Sequence, residues 1–376
     1  MQTAAIDNLL VLLTPVFSGL FCIILVSLRF PVWEKLKGSG LRGTLALYYA
    51  LICFTWAMSA FNAYRPHDFV YYRIFLILAG MLVPVVLYRF LFILTRTDEL
   101  ERFSPLHFIF PVAVFLVYGI WSLAVPREVF LGTSLYLERS VEGYEGFYTL
   151  LKAGYPLRTA VGIVYSSLSI LRYRRYRRFM ADYSSELREA SLYWVQIFLI
   201  LWISFLVVPL LTVRFPYKSL FTQLRLIIPA LIIFFQHIIL CFNAIRGNYV
   251  FIRKTDAKEA AKSAVPEKTE IAVLDFKRYI EQRKPYLNPG LTIAELATGL
   301  NTNRTYLSAF INQAYGMNFS QFINECRLLE LDRIVADPAK SHYSNSEKIS
   351  LAGFGSYDSY RRAMKLHEKR KLLSNK

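Results

Sequence analysis

Seven long apolar runs follow one another over the first two thirds of the chain, at about 8–28, 44–63, 69–95, 106–125, 148–171, 192–213 and 219–245. An α-helix needs about 20 apolar residues to cross the hydrocarbon core of a bilayer. Leu9 to Leu28 contains no charge, and Leu226 to Phe242 contains only Gln236 and His237 as strongly polar residues. One such run would suit a buried helix of a large soluble protein equally well. Seven in succession predict a seven-transmembrane-helix bundle over residues 1–250. No Lys or Arg precedes the first run and no small-residue cleavage site follows it, so it is expected to act as an anchor, not as a removable signal.

Beyond residue 245 the pattern becomes that of a soluble domain. Residues 251–270 are polar, contain Pro266 and show no apolar period in the stretch 254–270, which predicts a cytoplasmic linker. A helix is expected from about Ile271 to Gln282, before Pro285 and Pro289-Gly290 break it. Thr292 and Glu295 then form a capping box that opens a short helix with Ile293, Leu296 and Ala297 on its inner face. Gly299 to Thr302 form a turn. Asn303 caps a second helix, with Leu307 and Phe310 inward and Arg304, Thr305 and Ser308 outward. Two short helices joined by a tight turn have the geometry of a helix-turn-helix. A longer helix from about Ser320 to Val335 should end at Asp337-Pro338, and Ser344 with Glu347 opens another short helix. The predicted fold class is all-α: the membrane bundle, followed over 271–376 by an all-α domain.

The net charge is +17, of which residues 1–245 carry +9 and the remainder +8. In the first part the Lys and Arg residues are unevenly spread. Thirteen lie at Arg29–Arg42, Arg89–Arg102 and Arg172–Arg188, against five at Arg65, Arg127, Arg139, Arg214 and Lys218. By the positive-inside bias this puts the N-terminus outside and the C-terminal region in the cytoplasm. The second excess suits a phosphate-binding surface. Cys22, Cys53 and Cys241 lie within apolar runs, where Cys acts as a small hydrophobe, and Cys326 falls in a predicted helix. No CxxC or Cys/His cluster points to a disulfide framework or a metal site. There is no HExxH, P-loop or dinucleotide fingerprint, and residues 353–359 do not make a nucleophile elbow. Neither an enzyme nor a cofactor is expected.

Residues from about Lys284 to Lys365 resemble the DNA-binding domain of AraC-type transcription regulators. The stretches LTIAELA (291–297) and NRTYLSAFIN (303–312) match its first helix-turn-helix. Gly316, Phe319, Phe322, Ile323, Asn324 and Arg327 follow its G-x-x-F-x-x-F-I-N-x-x-R pattern. Gly353, Phe354, Ser356, Tyr360, Arg362, Met364 and Lys365 are similar to its second unit. Two departures stand out. Ile349 to Gly353 is one residue shorter than the usual I-A-x-x-x-G, and LHEKRKLLSNK replaces the usual G-x-x-P-x-x-Y after Lys365. The resemblance implies two helix-turn-helix units, double-stranded DNA as partner, and a bacterial inner-membrane location. It also makes a homodimer and contact with RNA polymerase candidates. It implies base-edge contacts by Thr305, Ser308 and Ala309, and phosphate contacts by Asn303 and Arg304. In the second unit it puts Tyr357, Asp358, Arg361 and Arg362 at the groove.

A competing expectation is a membrane receptor or transporter whose tail binds a protein partner. Either way the membrane part has something to sense. Arg73, Lys152, Arg158 and Arg225 lie in the outer halves of the third, fifth and seventh runs, near Tyr71, Tyr72, Tyr155 and Tyr165, and no Asp or Glu occurs inside any run. Charges within a membrane span usually face a cavity or a partner. These four therefore suggest an outward-facing pocket for a small anionic ligand. The plainer alternative is that they snorkel or pair with Asp68, Glu138, Glu142 or Glu145.

Overall fold

A computed structural model describes residues 2–28, 40–97, 101–136, 142–185, 192–212, 220–246 and 273–374. Of these, 86% are helical and none forms a strand. The linker 251–270, Ile271 and, of the residues that carry the charge bias, Arg29, Lys35, Lys37, Arg139, Arg188, Arg214 and Lys218 lie outside the described residues. Two compact units emerge: Met1–Thr95, Arg102–Tyr173 and Tyr193–Asn248 make the first, and Arg96–Glu101, Arg174–Leu192 and Tyr249–Lys376 the second.

In the first unit the apolar runs become helices α1 (Gln2–Ser27), α2 (Leu41–Tyr64), α3 (Arg73–Leu94), α4 (Ile109–Ala124), a short α5 (Arg127–Tyr136), α6 (Glu145–Tyr183), α7 (Tyr193–Thr212) and α8 (Leu220–Arg246). One turn at Pro66–Phe69 leads through Val70–Tyr72 into α3. Among the described residues, four helical stretches are long and apolar enough to cross a membrane: Leu41–Tyr64, His67–Leu94, Pro105–Ala124 and Ile227–Arg246. Val11–Ser27 and Tyr193–Val207 are shorter apolar stretches. The fifth run forms the first part of α6, whose 39 residues continue into the arginine-rich sequence.

Small and polar residues set how these helices meet. A Cβ at Gly19 of α1 would overlap the Cys53 sulfur of α2 and press on His237 of α8, so glycine is what lets the three backbones approach. There Ser18 Oγ shares a 2.9 Å hydrogen bond with His237 Nδ1, and the Tyr49 hydroxyl donates to the His237 carbonyl at 3.3 Å. A second core joins Ile77 and Met81 of α3, Tyr118 of α4, and Phe147, Leu151 and Val161 of α6. Two arginines from the charge count have structural partners. Arg42 donates to the carbonyls of Val26 and Ser27 at the end of α1, where a cation offsets the helix dipole. Arg172 donates to Thr95 Oγ1 at 2.9 Å.

The second unit contains α9 (Val273–Arg283), α10 (Ile293–Gly299), α11 (Arg304–Tyr315), α12 (Phe319–Ala336), α13 (Asn345–Leu351) and α14 (Tyr357–Ser374). The caps are those expected. Thr292 with Glu295 and Ser344 with Glu347 close capping boxes, and Asn303 Oδ1 accepts from the Tyr306 amide at 2.8 Å. A further box, Asn318 with Gln321, opens α12. Phe276, Ile293, Leu296, Leu307, Ile311 and Ile323 are buried to 1% exposure or less. Phe310, expected inward, is half-buried against Phe276, ring centroids 5.1 Å apart. Ile311 takes the inner place because one turn of 3.6 residues carries position 311 directly above Leu307.

Candidate functional site

The α11 helix presents a stripe formed by Thr305, Ser308, Ala309 and Asn312, at i, i+3, i+4 and i+7 and so on one face. Thr305, Ala309 and Asn312 are exposed and Ser308 half-buried. Behind the stripe, Leu307 and Ile311 hold α11 onto the core, and α10 packs beside it. The stripe is therefore fixed in position by burial of the opposite face, while its own side chains remain uncommitted to the core. Asn303 spends its carbonyl oxygen on the cap and keeps its Nδ2 protons for another acceptor.

The end of α6 stands opposite this stripe within the same unit. Phe179, Asp182 and Tyr183 line, with Arg304, Thr305 and Ser308, a cleft of about 320 Å³. The Arg304 guanidinium sits 4.8 Å from the centre of the Phe179 ring, a favourable cation–π geometry. Partial burial pushes the Asp182 carboxyl above its usual range, and the Arg304 charge draws it back down. Just beyond the helix, Ser184 pairs with Thr292 as an isolated antiparallel bridge. The Ser185 amide donates to the Leu291 carbonyl at 3.1 Å, and its hydroxyl to the Pro289 carbonyl at 3.1 Å.

Ser185 also accepts from Arg327, whose roles the sequence did not disclose. Arg327 is 1% exposed. Its Nε donates to the Tyr286 carbonyl at 2.8 Å, and its Nη2 to the Asn288 carbonyl at 2.8 Å and to Ser185 Oγ at 3.1 Å. Glu330, one turn on, is bound by Lys284 at 2.7 Å, by the Tyr286 hydroxyl at 3.2 Å and by Arg333 at 3.2 Å. Burial works to raise the Glu330 carboxyl, but these donors, Lys284 foremost, outweigh it and hold it below its ordinary value. The same arrangement pushes Tyr286 up to about 12, through burial first and the Glu330 charge second. Gly353 has φ +95°, and a Cβ there would overlap the Tyr286 carbonyl, so this close approach of the two backbones requires glycine.

On α14, Tyr357, Asp358 and Arg361 are exposed and Arg362 is half-buried, its Nε bonded to the Asp358 carbonyl at 3.2 Å. The four lie within its first two turns and share one side. The tail that departs from the family pattern continues α14 and folds back on α12 through His367 and Glu325, 2.6 Å apart.

Three of the four basic residues predicted for the first unit, Arg73, Lys152 and Arg158, have described side chains, and each has different surroundings. Arg73 is 8% exposed, and its Nε and Nη1 are buried with no partner among the described residues. The Arg158 side chain lies against Gly80. Lys152 is exposed, its ammonium 4.7 Å from the centre of the Tyr148 ring. The side chain of Arg225 is outside the described residues. Tyr165 bonds to His107 at 3.1 Å. A cleft of about 470 Å³ does open in this unit, with Tyr71, Phe75, Phe115, Ser122, Arg127 and Phe130 on its walls. Arg73, Lys152 and Arg158 do not line it.

No family model, no curated protein and no solved structure matches this chain.

Proposed function

We propose that the chain is a membrane-bound, sequence-specific DNA-binding transcription regulator of the AraC-type class. Its seven helices cross a bacterial inner membrane with the N-terminus outside, and the second unit faces the cytoplasm. The observation that carries this is the α11 stripe. A short capped helix holds a second helix whose buried face fixes it and whose outer face offers small polar side chains. That is what a helix needs to enter a major groove and touch base edges. Thr305, Ser308 and Ala309 read bases, Asn303 and Arg304 bind phosphate, and Tyr357, Asp358, Arg361 and Arg362 supply a second contact. The all-helical chain and its membrane-length apolar helices support the same reading.

In this reading the first unit senses a small anionic ligand from outside, with Arg73 as its anchor, because a buried guanidinium with open donors asks for an anion. A homodimer and contact with RNA polymerase complete the set of partners.

The test is selection of duplexes from a randomised pool by the full chain held in lipid nanodiscs. An enriched motif is expected, with binding that weakens steeply as salt rises. Recovery of the starting pool without enrichment rejects the proposal. Reporter fusions check the orientation: an external signal within 126–147 and an internal one within 172–191.

A further inference from the structure

The face of α11 that reads DNA is already faced by the chain itself. Phe179, Asp182 and Tyr183 at the end of α6 lie across the cleft from Thr305, Ser308 and Ala309. The cleft holds about 320 Å³, room for roughly ten water molecules at about 30 Å³ each. A duplex presents a major groove about 12 Å wide and 8.5 Å deep, and a reading helix sits inside it with base edges in contact. The stripe cannot meet base edges and Phe179 at once.

We infer that residues 179–185 are an internal competitor for DNA: they occupy the place of the major groove before α11, and the chain must release this segment before it can read a sequence. The inference rests on the DNA-binding proposal and adds its regulation.

Three further features fit a competitor. Its chemistry opposes DNA, since Asp182 puts a carboxylate where phosphates would approach, and Arg304, a phosphate contact, is turned onto the Phe179 ring. It is clasped by main-chain bonds, Ser184 to Thr292 and Ser185 to Leu291, so it has one register on the domain. The clasp is short, and Phe179 and Asp182 beside the cleft are half-buried; its release breaks the Ser184 and Ser185 pairings and the Ser185 bonds to Pro289 and Arg327. Because Phe179 belongs to the continuous helix α6, which begins at Glu145 in the first unit, the competitor is covalently continuous with the sensing part.

The experiment uses the full chain in nanodiscs and a fluorescein-labelled 30-base-pair duplex of mixed sequence at low salt, read by anisotropy. Phe179→Ala removes the ring without changing charge and is expected to tighten binding at least tenfold. Ser184→Cys with Thr292→Cys places a thiol pair across the antiparallel bridge, where Cα atoms lie about 4.5–5.5 Å apart, within disulfide reach. Oxidation should cross-link the pair and cut binding at least tenfold, and dithiothreitol should restore it. Protease digestion patterns confirm that each variant is folded. Equal binding by parent, Phe179→Ala and the oxidised pair removes the competitor while leaving DNA binding intact. Weaker binding by Phe179→Ala makes the segment part of the DNA surface and overturns the inference. Failure of the pair to cross-link overturns it as well. Absence of binding in every form, the reduced pair included, rejects DNA binding itself and the inference with it.

Discussion

Two arginines are buried to similar depth, one in each unit, and their surroundings are opposite. Arg327 of α12 gives its protons to the carbonyls of Tyr286, Asn288 and Pro289, to Asn324 and to Ser185. Arg73 of α3 has buried Nε and Nη1 atoms with no partner among the described residues. The first is a satisfied structural clamp: it ties a helix to the 3-10 turn Pro285–Leu287 and the loop that follows it. The second has no partner for Nε and Nη1 among the described residues, at a position where an unpaired donor costs about 1–3 kcal/mol. Burial alone does not tell a structural charge from a site charge. The count of filled donors does.

Four measurements separate the two kinds of buried charge. Arg327→Ala should destabilise the second unit by about 3–5 kcal/mol, because it strands several buried acceptors at once. Pulse proteolysis of the full chain in urea reads the change, and Arg327→Lys should not rescue it, since an ammonium cannot span the same set of carbonyls. A loss below about 1 kcal/mol would remove the clamp.

Arg73→Met has the opposite expected sign. Replacing a poorly paired buried charge by an apolar side chain of similar volume is neutral or stabilising by about 1–4 kcal/mol. The thermal midpoint of the detergent-solubilised chain should therefore hold or rise, while the transcriptional response is lost. A fall like that of Arg327→Ala would mean that Arg73 is structural too.

Thr292→Ala removes the capping box of α10 and should cost about 1 kcal/mol of unit stability by the same urea assay. Thr292 also pairs with Ser184, so this variant should expose the 184–185 segment to protease earlier than Ser344→Ala, a cap of the same type on α13. Equal protection in both would separate the cap from the clasp.

The smallest effect is acid sensitivity. Glu330 titrates below its ordinary value of 4.5, so its contribution is present above that value and is lost as pH falls through the lower, folded one. The second unit should lose stability on acidification below about 4.5, and Glu330→Gln should flatten that slope. An unchanged slope would show that other carboxylates carry it.

Much of the fold was legible because it is written locally. Helix caps sit three residues from their partners, so Thr292–Glu295, Asn303–Tyr306 and Ser344–Glu347 can be read from spacing. The end of α12 follows from Asp337-Pro338. Apolar runs locate α1 to α4, α7, α8 and the first part of α6, but neither the short α5 nor the arginine-rich continuation of α6. What escaped is long in sequence. Arg327 works on main-chain carbonyls some 40 residues away, and carbonyls leave no side-chain signature. Arg42 and Arg172 looked only like orientation signals because charge counting has no term for a cap or for a bond to Thr95. The placement of Phe179 and Asp182 before α11 joins positions more than 120 residues apart, and nothing in the local pattern of either segment announces the other. Of the candidate site, the exposed stripe was legible; its neighbour was not.

The meeting of Ser18, Tyr49 and His237 bears on how the chain is made. Residues emerge from the ribosome in order, so under the proposed membrane reading α1 and α2 enter the bilayer long before α8. Gln236 and His237 are both fully buried where α8 meets these helices. A nascent α8 moving sideways into lipid by itself would carry an amide and an imidazole into hydrocarbon, a costly state. With α1 and α2 already waiting, Ser18 and Tyr49 meet His237 on arrival. The last helix is therefore expected to depend on the first for its retention. A chain synthesised without residues 1–28 should leave α8 exposed to alkali extraction or to membrane quality-control proteases, although every residue of α8 is intact.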